Sequence, residues 1–99
     1  MTDINQKPNA SVIIPVYNGE GTVPQLTDRL LKVLPTIFDQ YEILLVDDCS
    51  LDNSWAVLKE LQNTWPEYVR AIHLARNFGQ HNATLCGIRA ARYEICITM

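Results

Sequence analysis

The chain alternates short aliphatic runs with segments whose apolar residues return every three or four positions, and these two periods define the elements it predicts. "SVIIPV" is a continuous apolar run broken at Pro15 and followed by "YNGEGT", which predicts a buried strand over residues 11–15 and a loop after it. From Thr22 onward Val23, Leu26, Leu30, Val33 and Leu34 recur at helical spacing. Pro24 suits a first turn, and Pro35 reads as a stop. "YEILLVDD" predicts a second strand, apolar on both sides as the interior of a parallel sheet requires. Asp52 or a neighbour then caps a helix carrying Trp55, Leu58, Leu61 and Trp65, which Pro66 closes. "VRAIHLA" predicts a third strand and "FGQHNATLCGIRAA" a third helix with Ala83, Gly87 and Ala90 on one side. "EICITM" predicts the start of a fourth strand.

The order βαβαβαβ predicts an α/β fold, an open and mainly parallel sheet with right-handed crossovers and helices on its faces. Such sheets bind ligands outside the carboxyl ends of their strands, where the strand order reverses. Here those ends carry Tyr17 and Asn18, then Asp47 and Asp48, then Arg76 and Asn77. A buried run that finishes on two adjacent carboxylates needs polar partners or a route to water, and the rim of a cleft offers both. Successive strand residues face opposite ways, so Asp47 and Asp48 are expected to do different work. One bonds nearby backbone amides; the other faces the cleft, where a carboxylate accepts from a base N–H or a ribose hydroxyl.

Other residues keep two readings. Tyr17 either stacks on a nucleobase or packs over its own loop. Arg76 either pairs with a diphosphate or bridges to the acidic loop. Gly79 permits close backbone approach at a helix start whose amides favour an anion. His73 and His81 read as structural, and Asp52 as a helix cap. Gly19 and Gly21 resemble the opening of a dinucleotide fingerprint, but Pro24 stands where the third glycine belongs. A turn is the simpler reading, and an NAD-dependent redox domain remains the alternative. A phosphate-handling receiver domain would need its acidic pair after the first strand, where this chain has Tyr-Asn.

Composition narrows the picture further. The 99 residues are enough for one core, and 47% hydrophobic with 19% charged residues is ordinary globular usage. The net charge of -3 and scattered basic residues give no footprint for nucleic acid. Cys49, Cys86 and Cys96 form an odd set without CxxC spacing, which points to neither a disulfide framework nor a zinc site and suits a reducing, cytoplasmic setting. No apolar run approaches the roughly 20 residues of a membrane helix. Residues 1–9 read as a polar tail. The final apolar run reaches Met99 without turn or cap, so the expectation is a sheet truncated after its fourth strand, with a bare edge that favours self-association.

Three blocks, "SVIIPVYNGE", "EILLVDDCSLDNS" and "LARNFGQHNATLCGIRAA", resemble the opening of family 2 glycosyltransferases, which have the three-layer, Rossmann-like GT-A fold. The third block is most similar to the branch that transfers a sugar from a nucleotide donor to a polyprenyl phosphate, including dolichyl-phosphate mannose synthases and their bacterial relatives. The resemblance implies that residues 10–99 are the donor-nucleotide-binding part of an inverting glycosyltransferase, using a UDP- or GDP-type donor. The acceptor would be a lipid phosphate or glycan, and the complete enzyme would work at the cytoplasmic face of a membrane. It implies that Pro15, Tyr17 and Glu20 line the nucleotide pocket, that Asp48 bonds the base and that Asp47 supports its loop. Gly79 and Ala83 would leave room for the nucleoside, with Arg76 and Asn77 shaping the floor. The family's Asp-x-Asp motif for magnesium or manganese follows the fourth strand and is expected after Met99. The 99 residues alone are therefore expected to be inactive, and a non-catalytic nucleotide-binding or assembly module of the same fold is the competing class.

Overall fold

The computed structural model describes residues 7–99. Its elements run β1 (Ala10–Val16), α1 (Val23–Ile37), β2 (Tyr41–Asp47), α2 (Ser54–Thr64), β3 (Val69–His73), α3 (Gln80–Ala90) and β4 (Ile95–Thr98). The strands form one parallel sheet in the order β3-β2-β1-β4. The chain walks outward from β1 to β3, then α3 carries it back over the sheet to β4, so the order reverses between β1 and β4. Most of the expected polar tail lies outside the described residues. Within them, Pro8 and Asn9 pair with the turn before β2: Asp39 N–H donates to the Pro8 carbonyl (2.9 Å) and Gln40 N–H to Asn9 Oδ1 (2.9 Å).

The sheet buries both faces, which is why its strands read as continuous apolar runs. On one face Val12, Ile14, Val16, Ile43, Leu45 and Val69 pack with Val23, Leu34 and Phe38 of the α1 region and Leu58 of α2. On the other, Ile13, Leu44 and Val46 lie beneath α3. Gly87 decides how closely that helix approaches, because a Cβ at its position would run into the Ile13 side chain and stand 3.2 Å from Val46 Cγ2. The expected small residues at 83 and 87 are thus the contact stripe, both buried.

Pro15 sits in a central strand without breaking it. Asp48 N–H donates to the Val16 carbonyl and Met99 N–H to the Ile13 carbonyl, so odd-numbered residues of β1 turn toward β4. Pro15 therefore turns its ring nitrogen away from β2, and the β1–β2 ladder loses no bond to it. Pro35, by contrast, corrects the expected helix end: α1 runs on to Ile37. The proline removes one donor in the last turn, yet Phe38 N–H still reaches the Leu34 carbonyl at 2.8 Å. Val33 turns outward, half exposed, and Thr27 takes a buried place on the helix.

Two polar devices finish the sheet. Glu42, in the middle of an apparently apolar run, is buried and accepts from Ser11 Oγ (2.6 Å), Arg70 Nε (2.9 Å) and Arg92 N–H (2.7 Å). Arg70 also donates to the Ala90 carbonyl, so this cluster ties the end of α3 and the approach to β4 onto the sheet. Burial pushes the Glu42 carboxyl up, but the bonds from Ser11, Arg92 and Arg70 outweigh it and hold the group below its usual value. At the other edge two outward amides of β3 are taken: Val69 N–H by the Trp65 carbonyl (2.8 Å) and Ala71 N–H by Gln62 Oε1 (2.7 Å).

Candidate functional site

Val16, Asp47 and His73 stand in register across β1, β2 and β3, so three strands end on one line. In-register side chains share a face, and these three point toward the α1 and α2 layer. Asp48, one residue on, turns to the α3 side. The two carboxylates therefore occupy different environments, as the strand alternation predicts.

On the α3 side a cleft of roughly 400 Å³ opens at the strand ends, lined by Pro15, Val16, Tyr17, Asp48, Asn77, Gly79 and Gln80. It lies against the point where strand order reverses, and its size is that of a small-ligand site. Asp48 braces one wall: Oδ1 accepts from Phe78 N–H (2.8 Å) and Oδ2 from Gly79 N–H (3.0 Å). Each oxygen has a second lone pair, so these bonds leave capacity for a ligand donor. Gly79 holds φ 91, a left-handed conformation that a side chain would strain, and Asn77 Oδ1 shares its amide at 3.0 Å. Tyr17 is about half exposed at the mouth.

The loops after β1 and β2 are stitched together behind that cleft. Asn18 N–H donates to Ser50 Oγ (3.0 Å), Leu51 N–H to Asn18 Oδ1 (2.9 Å), Gly19 N–H to Ser54 Oγ (2.8 Å) and Glu20 N–H to Asp52 Oδ2 (3.3 Å). Asn18 and Cys49 both sit at positive φ, 54 and 57, at about 1–2 kcal/mol each for a residue with a side chain. Asp47 anchors the seam from below, its Oδ1 accepting from the Ser50 hydroxyl and amide. The cap expected at Asp52 falls one residue later, at Asn53, and the Asp52 carboxylate instead accepts from Ser54 and Glu20. Chiefly the Ser54 hydroxyl, against a smaller desolvation, holds that carboxyl below the usual range.

The structure brings Pro15, Tyr17, Asp48, Asn77 and Gly79 together around one cleft. It places Asp47 beneath the seam, and Ala83 fully buried on the inner face of α3. Glu20 is exposed on the outer loop, and Arg76 has its guanidinium 4.8 Å from the centre of the Phe78 ring. Gln80 and Val16 join the lining, and Ser50 and Ser54 the seam, although none stood out in the sequence. Small hydroxyls two or three residues past an acidic strand end are the signal that could have found the serines. His73, read as structural, has two neighbours that fix it: its ring stacks on Trp55 at 4.5 Å, and Nε2 lies 3.4 Å from Asp47 Oδ2. Gly19 and Gly21 form the turn before α1, where the Gly19 carbonyl accepts from Val23 N–H at 3.0 Å.

Among the described residues no three His, Cys, Asp or Glu side chains come together, and the acidic pair is engaged by Ser50, Phe78 and Gly79. These described residues do not fit a divalent ion. No helix among them is long and apolar enough to cross a membrane. A larger hollow of about 510 Å³ lies at the opposite end of the sheet, lined by residues including Lys7, Asn9 and Arg92, away from every polar strand end.

An open parallel sheet with a polar cleft at its switch point is a ligand-binding arrangement of the α/β class. Residues 11–99 match Glycosyl transferase family 2, and the chain belongs to that family. It is 45% identical over 89 residues to the undecaprenyl-phosphate 4-deoxy-4-formamido-L-arabinose transferase of Proteus mirabilis, covering 90% of this chain and 27% of that protein. The Shewanella sediminis protein of the same description is 38% identical over 89 residues, with the same coverage. The chain thus spans about a quarter of the length of the curated relatives it matches. Among solved structures, a mannosyltransferase from Pyrobaculum calidifontis in complex with GDP-Man and Mn2+ superposes with TM-score 0.81 at 23% identity, over 93% of this chain and 27% of that one. S. aureus TarS in complex with UDP-GlcNAc superposes with TM-score 0.77 at 26% identity, over 92% and 26%. The GT-A-type α/β sheet expected from the sequence is the fold observed.

Proposed function

We propose that this chain is the donor-nucleotide seat of an enzyme that moves a sugar from a nucleoside diphosphate to a polyprenyl phosphate. The convergence of Pro15, Tyr17, Asp48, Asn77 and Gly79 on one switch-point cleft carries the reading. The relatives' name, with undecaprenyl phosphate as the acceptor, supports the polyprenyl part. Tyr17 offers its ring face to the base, Asp48 its free lone pairs to base N–H groups, and the wall at Asn77 and Gly79 limits the seat's depth. In the reaction an acceptor phosphate oxygen forms the new bond to the anomeric carbon. The bond to the diphosphate breaks, and that leaving group departs with the electron pair. Such an acceptor is already anionic near neutral pH, so it needs no strong general base. Magnesium or manganese belongs to this reading as an ion held by residues outside the described ones.

The two structural relatives carry different nucleotides, so the donor type is decided by titration. UDP and GDP, each with and without magnesium or manganese, are titrated calorimetrically into the longer native polypeptide. Saturable binding of one of them is expected, and heat from neither would remove the assignment.

The isolated 99-residue chain is expected to transfer no sugar and to self-associate through β4, whose edge is exposed at Ile95, Cys96 and Thr98. A transfer assay and sedimentation at rising concentration check this together. Turnover, or a monomer at every concentration, would contradict it.

A further inference from the structure

We propose that His73 is a positioning residue for the nucleotide cleft, acting through Asp47; the inference rests on the nucleotide reading above. Asp47 is fully buried, and only one of its carboxylate oxygens is satisfied. Oδ1 takes both bonds from Ser50, while Oδ2 is enclosed and receives no hydrogen bond. A buried carboxylate oxygen without a donor is unfavourable, so the group that faces it matters. Among the described residues the one basic side chain within ion-pair reach is His73, with Nε2 3.4 Å away.

The backbone places it there. Asp47 and His73 are register partners on β2 and β3, and Leu74 N–H donates to the Asp47 carbonyl at 2.9 Å, closing the ladder next to them. The imidazole cannot swing freely, because it stacks on Trp55 with 17° between the planes. A small rotation within that stack brings Nε2–H onto Oδ2. The orphaned oxygen thereby also selects the tautomer with its proton on Nε2.

The effect travels along bonds already described. Asp47 orients Ser50, whose Oγ accepts from Asn18 N–H, and Asn18 holds φ 54 immediately after Tyr17. A non-glycine residue keeps that conformation only while its surroundings fix it. With Oδ2 bonded to His73 the carboxylate has one orientation, Ser50 is held, and Tyr17 is presented at the cleft mouth. His73 itself points to the α2 side of the sheet and touches no ligand, so its role is indirect.

The test uses the longer native polypeptide and whichever of UDP and GDP it binds. His73→Phe keeps the stack on Trp55 and deletes the N–H; His73→Gln returns an N–H at similar reach. Calorimetry is expected to show about fivefold weaker binding for Phe and near wild-type binding for Gln, the order of effect seen within one hydrogen-bond network. His73→Phe combined with Ser50→Ala is expected to bind no more weakly than Ser50→Ala alone, since both act through Asp47. Melting curves check folding, and His73→Leu replaces Phe if the Phe variant melts early. Equal affinity of the donor-less variant and wild type would overturn the inference alone, as would a Gln variant as weak as Phe or strictly additive effects. Failure of the wild type to bind either nucleotide would instead take down the underlying reading of the cleft, and this inference with it.

Discussion

Asp48→Ala weakens nucleotide binding by the longer native polypeptide about tenfold to a hundredfold, the range expected when a charged hydrogen-bond acceptor is removed. Two losses combine. The ligand loses the lone pairs that face the cleft, and the Phe78 and Gly79 amides lose the acceptors that set the wall. Gly79 keeps Asn77 Oδ1, but among the described residues Phe78 N–H has only Asp48. Asp48→Asn retains an acceptor oxygen and is expected to fall between Ala and wild type. Unchanged calorimetric affinity in the Ala variant would show that the carboxylate serves the loop and not the ligand.

Glu42→Ala is expected to cost about 3–5 kcal/mol, the usual consequence of stripping one partner from a buried ion pair. It leaves Arg70 with the Ala90 carbonyl alone and takes the acceptor from the Ser11 hydroxyl and the Arg92 amide, which loosens the end of α3 on the sheet. A urea midpoint unchanged from wild type would show the cluster to be ornamental. Acid adds a second signature. Because the folded group titrates below its usual 4.5, its contribution is complete above that pH and is lost as pH falls through the lower folded value. Glu42→Gln, which cannot ionise, is expected to flatten that acid limb.

The alternation of elements was legible because β1 and β2 are buried on both faces and flanked by turn residues, a local property. Tyr17 and Asp48 were legible for a related reason: each immediately follows a buried strand, and a polar residue there lies at a sheet end, while Asn77 and Gly79 sit in the short loop between β3 and the start of α3. What the sequence hid depends on distant partners. Glu42 looked like an intrusion in "YEILLV" until the fold set it against Ser11 and Arg70, 31 and 28 positions away. Pairing of His73 with Asp47 required the β2 to β3 register, which no local pattern carries. Pro35 misled because proline costs a helix little in its last turn, where the next bond can still form. Arg76 followed a strand end as the others did, but its guanidinium settled on Phe78.

Gln62 gives the sheet a direction of growth. With the outward amides of Val69 and Ala71 already occupied, a newcomer strand finds no vacant hydrogen-bond donors at those positions of β3. Among the described residues β4 carries no comparable lid, so recruitment of pleated segments, whether from the same polypeptide or from another molecule, is polarised toward that flank.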